Sequence, residues 1–124
     1  MTLWTNTELE KINSAEELNI SSLRQDGTLR KAVVIWVVRL RNDLYVRSVN
    51  GRTSAWYQST QILHEGHIRA GGIDKDVTFL EADPSITDQI DNSYRTKYHQ
   101  YASSIIASII SPKARAATIK LIPR

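Results

Sequence analysis

Residues 26–56, DGTLRKAVVIWVVRLRNDLYVRSVNGRTSAW, decide the fold that this sequence predicts. Asp26-Gly27 is a pair typical of tight turns, and it precedes an apolar run over residues 32–38. A polar Arg-Asn-Asp turn leads to a second strand that ends at residues 47–48, and a loop completes the segment. We interpret the segment as a β-hairpin that brings cations, hydroxyls and backbone amides to one place. Such a place suits a phosphate beside a flat ring.

The first strand of this hairpin, predicted at residues 31–40, is apolar on both faces. Alternating residues form the two faces, Val33, Ile35 and Val37 on one and Val34, Trp36 and Val38 on the other. In a sheet covered on one side only, one of these rows would face water. We therefore expect a central strand buried on both faces, one filling a barrel and the other meeting a helix or a second subunit.

The rest of the chain predicts one α+β domain over residues 1–124. Thr5 and Glu8 form a capping box that begins a short helix, and a second helix follows Ser54. A third begins at Asp83-Pro84 and continues to about residue 101, and residues 103–110 either extend it or lie over the barrel. About six short strands are predicted, at residues 17–23, 31–40, 43–48, 65–71, 74–82 and 116–122. Such strands with helices between them are typical of a small antiparallel barrel.

Composition narrows the classes of function. The chain has no cysteine, which excludes disulfides, thiolate metal sites and cysteine nucleophiles. No stretch approaches the roughly 20 apolar residues of a membrane span, and no signal peptide is visible, so we expect a cytoplasmic location. Residues 24–52 carry seven cations against two carboxylates, which fits a small anionic ligand or a solvated basic face. Nucleic acid is disfavoured, because few aromatic residues interleave with these cations.

Other motifs give weaker signals. His64 and His67 are three residues apart, a spacing that joins two metal ligands only on a helix, and this stretch is predicted to enter a strand. The sequence contains no Gly-x-Ser-x-Gly elbow, dinucleotide-binding fingerprint or P-loop. The acidic residues 74, 76 and 81 are interpreted as a solvated face.

The strongest candidate site lies at the end of the hairpin. Guanidinium groups bind phosphate through paired hydrogen bonds, serine hydroxyls donate, and glycine lets a ligand approach the backbone. The alternative is a polar hairpin end with a tryptophan in the core. The residues of this candidate site are Arg47, Ser48, Gly51, Arg52, Ser54 and Trp56.

Nearly the whole chain resembles the small bacterial proteins called domain of unknown function 2255. The matching stretches include RQDGTLR at 24–30, IWVV at 35–38, DLYVRS at 43–48 and YRTKY at 94–98. The hairpin, with Gly51 and Trp56 before a helix, is also similar to the FMN- and deazaflavin-binding split β-barrels. These include pyridoxamine-phosphate-oxidase-like proteins and deazaflavin-dependent nitroreductases.

The more distant resemblance implies a homodimer with the cofactor at the subunit interface. It places Arg47 and Ser48 beside the cofactor phosphate, Arg52 and Ser54 in the phosphate-binding loop, and Trp56 near the ring or at the start of the helix. The Ser-Arg-Lys loop of the oxidases is absent from this sequence.

The resulting hypothesis is a homodimeric split β-barrel that binds FMN or a deazaflavin and supports a reductase or oxidase reaction. Trp36 and Trp56 would line the ring pocket, and Arg24 would reach the phosphate or a substrate anion. The alternative is a non-enzymatic module that binds another small anionic ligand or a protein partner.

Overall fold

The structure, a computed structural model, describes residues 3–124 and contains five α-helices and seven β-strands in that range. The helices are α1 Asn6–Ser14, α2 Ala55–Leu63, α3 Thr87–Lys97, α4 Ser103–Ile109 and α5 Pro112–Arg115. The strands are β1 Leu18–Ser22, β2 Val33–Ile35, β3 Val38–Leu40, β4 Asp43–Arg47, β5 Glu65–Ala70, β6 Ile73–Glu81 and β7 Thr118–Pro123. Two short 3₁₀ turns lie at Gly51–Thr53 and Pro84–Ile86.

Local capping explains where the first two helices begin. The Thr5 hydroxyl accepts a hydrogen bond from the Glu8 amide at 3.1 Å, and the Glu8 carboxylate accepts one from the Thr5 amide at 2.9 Å. The predicted capping box is therefore confirmed. Ser54 caps α2 by accepting a hydrogen bond from the Tyr57 amide, also as predicted.

All seven strands form one antiparallel sheet in the order β2-β1-β5-β6-β7-β4-β3. The two edge strands, β2 and β3, are consecutive in the chain and separated only by Trp36 and Val37. Three residue steps span at most about 11 Å, so the sheet has to curl until its edges approach each other. The result is a curled antiparallel sheet with flanking helices, which confirms the predicted α+β fold with a small antiparallel split β-barrel.

The prediction of one central strand over residues 31–40 is wrong. The chain breaks between β2 and β3, which gives seven strands instead of about six, and both pieces lie at sheet edges. At the break the Val37 amide donates to the Tyr98 hydroxyl at 3.2 Å, while the Val37 carbonyl accepts from Lys97 Nζ at 2.7 Å. Val34 is 54% exposed, so burial on both faces holds only at Val37, in the inner apolar cluster, and Val38, in the outer one.

The apolar side chains form two clusters on opposite faces of the sheet. The inner cluster fills the curl and joins α1 and α2 to residues such as Leu18, Val46 and Ile68. The outer cluster places α3 and α4 over β3 and β4, and contains Val38, Tyr45, Ile90, Tyr94, Tyr98 and Ile109. This division follows the alternation in β4, where Leu44 and Val46 lie in the inner cluster and Tyr45 in the outer one.

The last third of the chain differs in detail from the prediction. The helix expected from Asp83 begins instead with the 3₁₀ turn, and α3 ends at Lys97. Residues 103–110 do not extend it, because they form the separate helix α4 that packs over the sheet. None of the helices in residues 3–124 has the length and apolar character that crossing a bilayer requires.

Candidate functional site

A cavity of about 390 Å³ opens beside the break between β2 and β3. We call it the tryptophan cavity, because Trp36 and Trp56 both line it. Its apolar wall comes from β2, the loop after β4, and α4, and its polar groups come from the residues that follow β4 and from α4. The lining residues are Val33, Val34, Ile35, Trp36, Arg47, Ser48, Val49, Asn50, Ser54, Trp56, Ile105, Ser108 and Ile109.

Two tightly placed serines form one polar corner of this cavity. Ser48 is buried at the end of β4, where its amide donates to the Ala117 carbonyl at 3.2 Å. Its hydroxyl donates to the Ser54 hydroxyl at 2.7 Å. The structure therefore brings Ser48, Ser54 and Trp56 to one cavity, as the sequence predicted.

Trp36 is held in the wall by an aromatic stack. The centre of its ring lies 3.8 Å from that of the Tyr98 ring, with an angle of 3° between the ring planes. The centre of the Tyr101 ring lies 4.8 Å away, and its plane is tilted by 57° from that of Trp36. The Tyr98 hydroxyl donates to the Glu16 carbonyl at 2.7 Å. Burial raises the pKa of Tyr98, which keeps this hydroxyl protonated. The orientation of Trp36 is thus fixed by a residue far away in the sequence.

Arg47 does not have the role that the sequence suggested. Its side chain is fully buried, and its guanidinium is bound by Asp91 at 2.5 Å, the Thr118 hydroxyl at 3.0 Å and the backbone carbonyls of Thr87 and Ile109. It also lies over the Tyr94 ring at 5.4 Å. This placement makes Arg47 a strut between β4 and the helices, and it does not support the predicted phosphate contact.

Gly51 and Arg52 also lie apart from the tryptophan cavity. Gly51 has a φ of 78°, and a Cβ there would meet Lys113 Cβ at 3.1 Å, so the glycine permits packing against α5. Arg52 is half-exposed and forms an ion pair with Glu81. The predicted phosphate loop is therefore divided, with its serines at the cavity and its arginine outside it.

Arg24 lies in a second, smaller cavity of about 210 Å³ that adjoins the first. Arg30 and Lys31 also line it, and we call it the basic cleft. Val33 and Trp56 line both spaces, so these two side chains form the wall between them. Sequence reasoning counted Arg30 and Lys31 only as part of a basic segment, because the position of β2 at the sheet edge was not foreseen.

The contribution of α4 to the tryptophan cavity was also missed. Ile105, Ser108 and Ile109 line it, whereas the sequence predicted only that this isoleucine-rich segment extends the preceding helix or lies over the barrel. Its repeated apolar residues indicated burial but carried no sign of which cavity they would face.

The histidine positions do not form a metal site. On the β5–β6 hairpin, His67 is hydrogen-bonded to Asp76 at 2.8 Å and also to Asp74. Partial burial lowers the pKa of His67, but the hydrogen bonds to Asp76 and Asp74 outweigh it, and the net effect raises the pKa above its ordinary value. Within residues 3–124, no group of three or more His, Cys, Asp or Glu side chains is placed to hold a metal ion.

Comparison with known proteins identifies a family and a fold. A family model described as an uncharacterized protein conserved in bacteria (DUF2255) matches residues 8–121. HutZ, described as the heme storage protein of Vibrio cholerae, is structurally similar with a TM-score of 0.65 and 11% identity, over 93% of this chain and 86% of that chain. An F420 reductase has a TM-score of 0.57 and 13% identity, over 93% and 90% of the two chains.

A third similar structure is a candidate 5-nitroimidazole antibiotic resistance protein from Bacteroides thetaiotaomicron. Its TM-score is 0.57 at 12% identity, over 99% of this chain and 82% of that chain. No curated protein matches the chain by sequence. At such low identities the structural likeness shows the fold alone. The predicted resemblance to the bacterial family and the distant resemblance to split barrels are both confirmed.

Proposed function

The chain belongs to the DUF2255 family of uncharacterized proteins conserved in bacteria, and we propose that it binds the flat ring of FMN or a deazaflavin in the tryptophan cavity. The observation that carries this proposal is the cavity itself, an apolar space with two indole rings and a few fixed hydroxyls. Its volume of about 390 Å³ lies within the usual range of small-molecule sites. Aromatic walls favour a flat aromatic ligand through offset or edge contacts.

The protein's part would be binding and orientation. Trp36 and Trp56 would contact the ring, while Ser48 and Ser54 would offer hydroxyls to its polar edge. A bound flavin or deazaflavin supplies hydride-transfer chemistry, and the protein fixes its position and limits the access of water. The apolar β2 and α4 residues that line the cavity suit the second task.

Haem, which the description of HutZ suggests, does not fit this cavity. Haem iron is held by histidine, cysteine, methionine or tyrosine side chains. None of the described residues that line the tryptophan cavity is of these types. We therefore propose no haem chemistry for this chain.

We also propose a homodimer in which a second copy covers the mouth of the cavity. Val34, Val49 and Ile105 line the cavity and are 54%, 43% and 46% exposed, so an apolar rim faces outward. The outer edge of β2 has no strand partner within residues 3–124. Sedimentation should show a dimer that Val34→Glu weakens. The control is Leu80→Glu, at a residue on β6 that is 48% exposed and lies outside the cavity. A monomer at all accessible concentrations would contradict the proposal.

One observation favours a binding module without catalysis. Apart from the fully partnered Arg47, no ionisable side chain of the described residues lines the tryptophan cavity, so the protein offers no acid or base there. A redox reaction carried by the cofactor alone remains compatible with such a cavity. Reduction of an added electron acceptor by the loaded protein distinguishes an enzyme from a module.

The test of binding is a titration with FMN and with a deazaflavin, followed by fluorescence and calorimetry. Ser108→Trp places an indole in the cavity wall, whereas Ser104→Trp makes the same change on α4 outside the cavity. The first variant should weaken binding about tenfold or more, and the second should bind like the natural protein. Failure of both ligands to bind at high micromolar concentration would refute the proposed function.

A further inference from the structure

We propose that the basic cleft is an anion site that holds the phosphate of the ligand whose ring occupies the tryptophan cavity. The inference rests on the proposed function and makes it more specific. It assigns the phosphate to Arg24, Arg30 and Lys31 instead of Arg47 and Arg52. It also predicts that the protein selects phosphorylated ligands over the same rings without phosphate.

The first argument is that the cations of the basic cleft are not paired with carboxylates. Arg24, Arg30 and Lys31 form no ion pair with a carboxylate anywhere in residues 3–124, and no carboxylate lines the cleft. The nearby Asp26 carboxylate is hydrogen-bonded by the amide and hydroxyl of Thr28, at 3.0 and 2.6 Å, and it interacts with the Arg24 charge without forming an ion pair. Cations gathered in a concave site without counter-charges create a positive potential that attracts anions.

Arg47 and Arg52 lack this freedom. The first is fully buried against Asp91, and the second is paired with Glu81 on another side of the molecule. A phosphate reaching either guanidinium would have to displace a carboxylate. No such displacement is needed in the basic cleft.

The second argument is an unsatisfied donor. Arg30 Nε is buried and has no hydrogen-bond acceptor in the structure. Buried polar atoms without partners are rare, because their lost hydration is then not replaced. A phosphate oxygen in the cleft is the acceptor that such a donor would require, since charge-assisted bonds between guanidinium and phosphate are among the stronger ones.

The cleft is also partly preorganised. Arg24 Nη1 donates to the Thr28 hydroxyl at 3.2 Å and to the Leu29 carbonyl at 3.1 Å, which anchors one end of its guanidinium on the turn. Ser22 adds a side-chain hydroxyl to the lining, whereas the Ser59 hydroxyl there already donates to the Ala55 carbonyl at 3.0 Å. An anion would therefore meet donors that are already gathered.

The third argument is continuity with the tryptophan cavity. Arg30 and Lys31 immediately precede β2, and Val33 at the start of that strand lines both spaces together with Trp56. From Arg30 to Val33 the chain covers at most about 11 Å. A ligand with a ring, a short polyol spacer and a terminal phosphate matches this arrangement. Its ring would lie in the tryptophan cavity, its spacer would pass Val33 and Trp56, and its phosphate would lie beside the cations of the basic cleft.

The experiment compares FMN with riboflavin, and 5-deaza-FMN with 5-deazariboflavin, in calorimetric titrations. The natural protein should bind each phosphorylated form roughly ten- to a hundredfold more tightly than its dephosphorylated form. The double variant Arg30→Gln/Lys31→Gln should lose this preference and keep its affinity for riboflavin, which also shows that it is folded. Arg41→Gln, the same change at an exposed turn outside both spaces, should leave the preference intact.

Two outcomes would overturn the inference while the proposed function survives. One is equal affinity of the natural protein for FMN and riboflavin. The other is a preference for FMN that the double variant retains.

If neither ring binds, the proposed function fails and the anion site is tested alone. Inorganic phosphate is then added while the Arg30 Nε–Hε resonance is followed by NMR, with chloride at matched ionic strength as the control. A saturable shift that depends on Lys31 supports the site. The absence of a shift refutes it.

Discussion

Replacing Arg47 tests whether this residue is a structural strut, as its contacts indicate. Arg47→Met removes the ion pair with Asp91 and leaves two backbone carbonyls and the Thr118 hydroxyl without their donor. Breaking a buried ion pair from one side costs about 3–5 kcal/mol. Asp91 retains Arg115 at 3.3 Å and its side chain is 10% exposed, so we expect a loss of about 3 kcal/mol, near the lower limit.

The matched control is Arg52→Met, since the sequence suggested a phosphate role for both arginines. Arg52 and Glu81 have side-chain exposures of 55% and 53%, and an exposed pair contributes less than about 1 kcal/mol. Urea unfolding with a slope of roughly 1–3 kcal/mol per molar translates a loss of about 3 kcal/mol into a midpoint shift of about 1–3 M. Arg47→Lys, which keeps the charge without the planar fork, gives a measurable intermediate if the methionine variant does not fold. Equal urea midpoints for Arg47→Met and Arg52→Met would refute the structural role of Arg47.

Three further outcomes follow from single contacts. Gly71→Ala should destabilise the protein far more than Gly72→Ala in thermal unfolding. A Cβ at residue 71 would lie 2.2 Å from the Lys11 carbonyl oxygen, whereas a Cβ at residue 72 would meet no atom within 4 Å. Similar losses of stability in the two variants would contradict this explanation. Tyr98→Phe should cost about 1–3 kcal/mol in urea unfolding, since two backbone groups lose a buried partner, and an unchanged midpoint would exclude this role. The raised pKa of His67 contributes stability that is fully present below the unfolded-state pKa and is lost as pH rises through the folded-state pKa. His67→Gln should therefore weaken the dependence of the unfolding free energy on pH between about pH 6 and 8. A pH profile of stability identical to that of the natural protein would contradict this expectation.

Local signals predicted the elements that depend on near neighbours. The capping box at Thr5, the Ser54 cap and the alternation of Leu44 and Val46 each involve groups within a few residues, and the structure confirms them. The glycine turn between β5 and β6 was predicted for the same reason.

The break in the apolar strand could not be predicted in this way. It depends on the Tyr98 hydroxyl, 61 residues from Val37, and on a sheet order that places β2 and β3 at opposite edges. An apolar run reports that its side chains avoid water, but it does not distinguish one central strand from two edge strands under separate covers.

The candidate site shows the same limit. Ser48, Ser54, Trp36 and Trp56 lie at one cavity, because the hairpin and the following helix bring residues together that are close in the sequence. Arg47 was misjudged because its counter-ion is 44 residues away on a helix whose packing the sequence did not specify.

The short link between β2 and β3 has a consequence for how a ligand would enter. An open sheet can part at its edges by breaking hydrogen bonds, but here the edges are tied by a covalent bridge of Trp36 and Val37. The width of the gap there is set by chain length and not by the strength of any contact. A ligand would therefore enter through the open mouth that Val34, Val49 and Ile105 line, without separation of β2 from β3. Any change in the width of the cavity would then arise in α4 or in the loop after β4, while the side formed by β2 and β3 keeps its dimension.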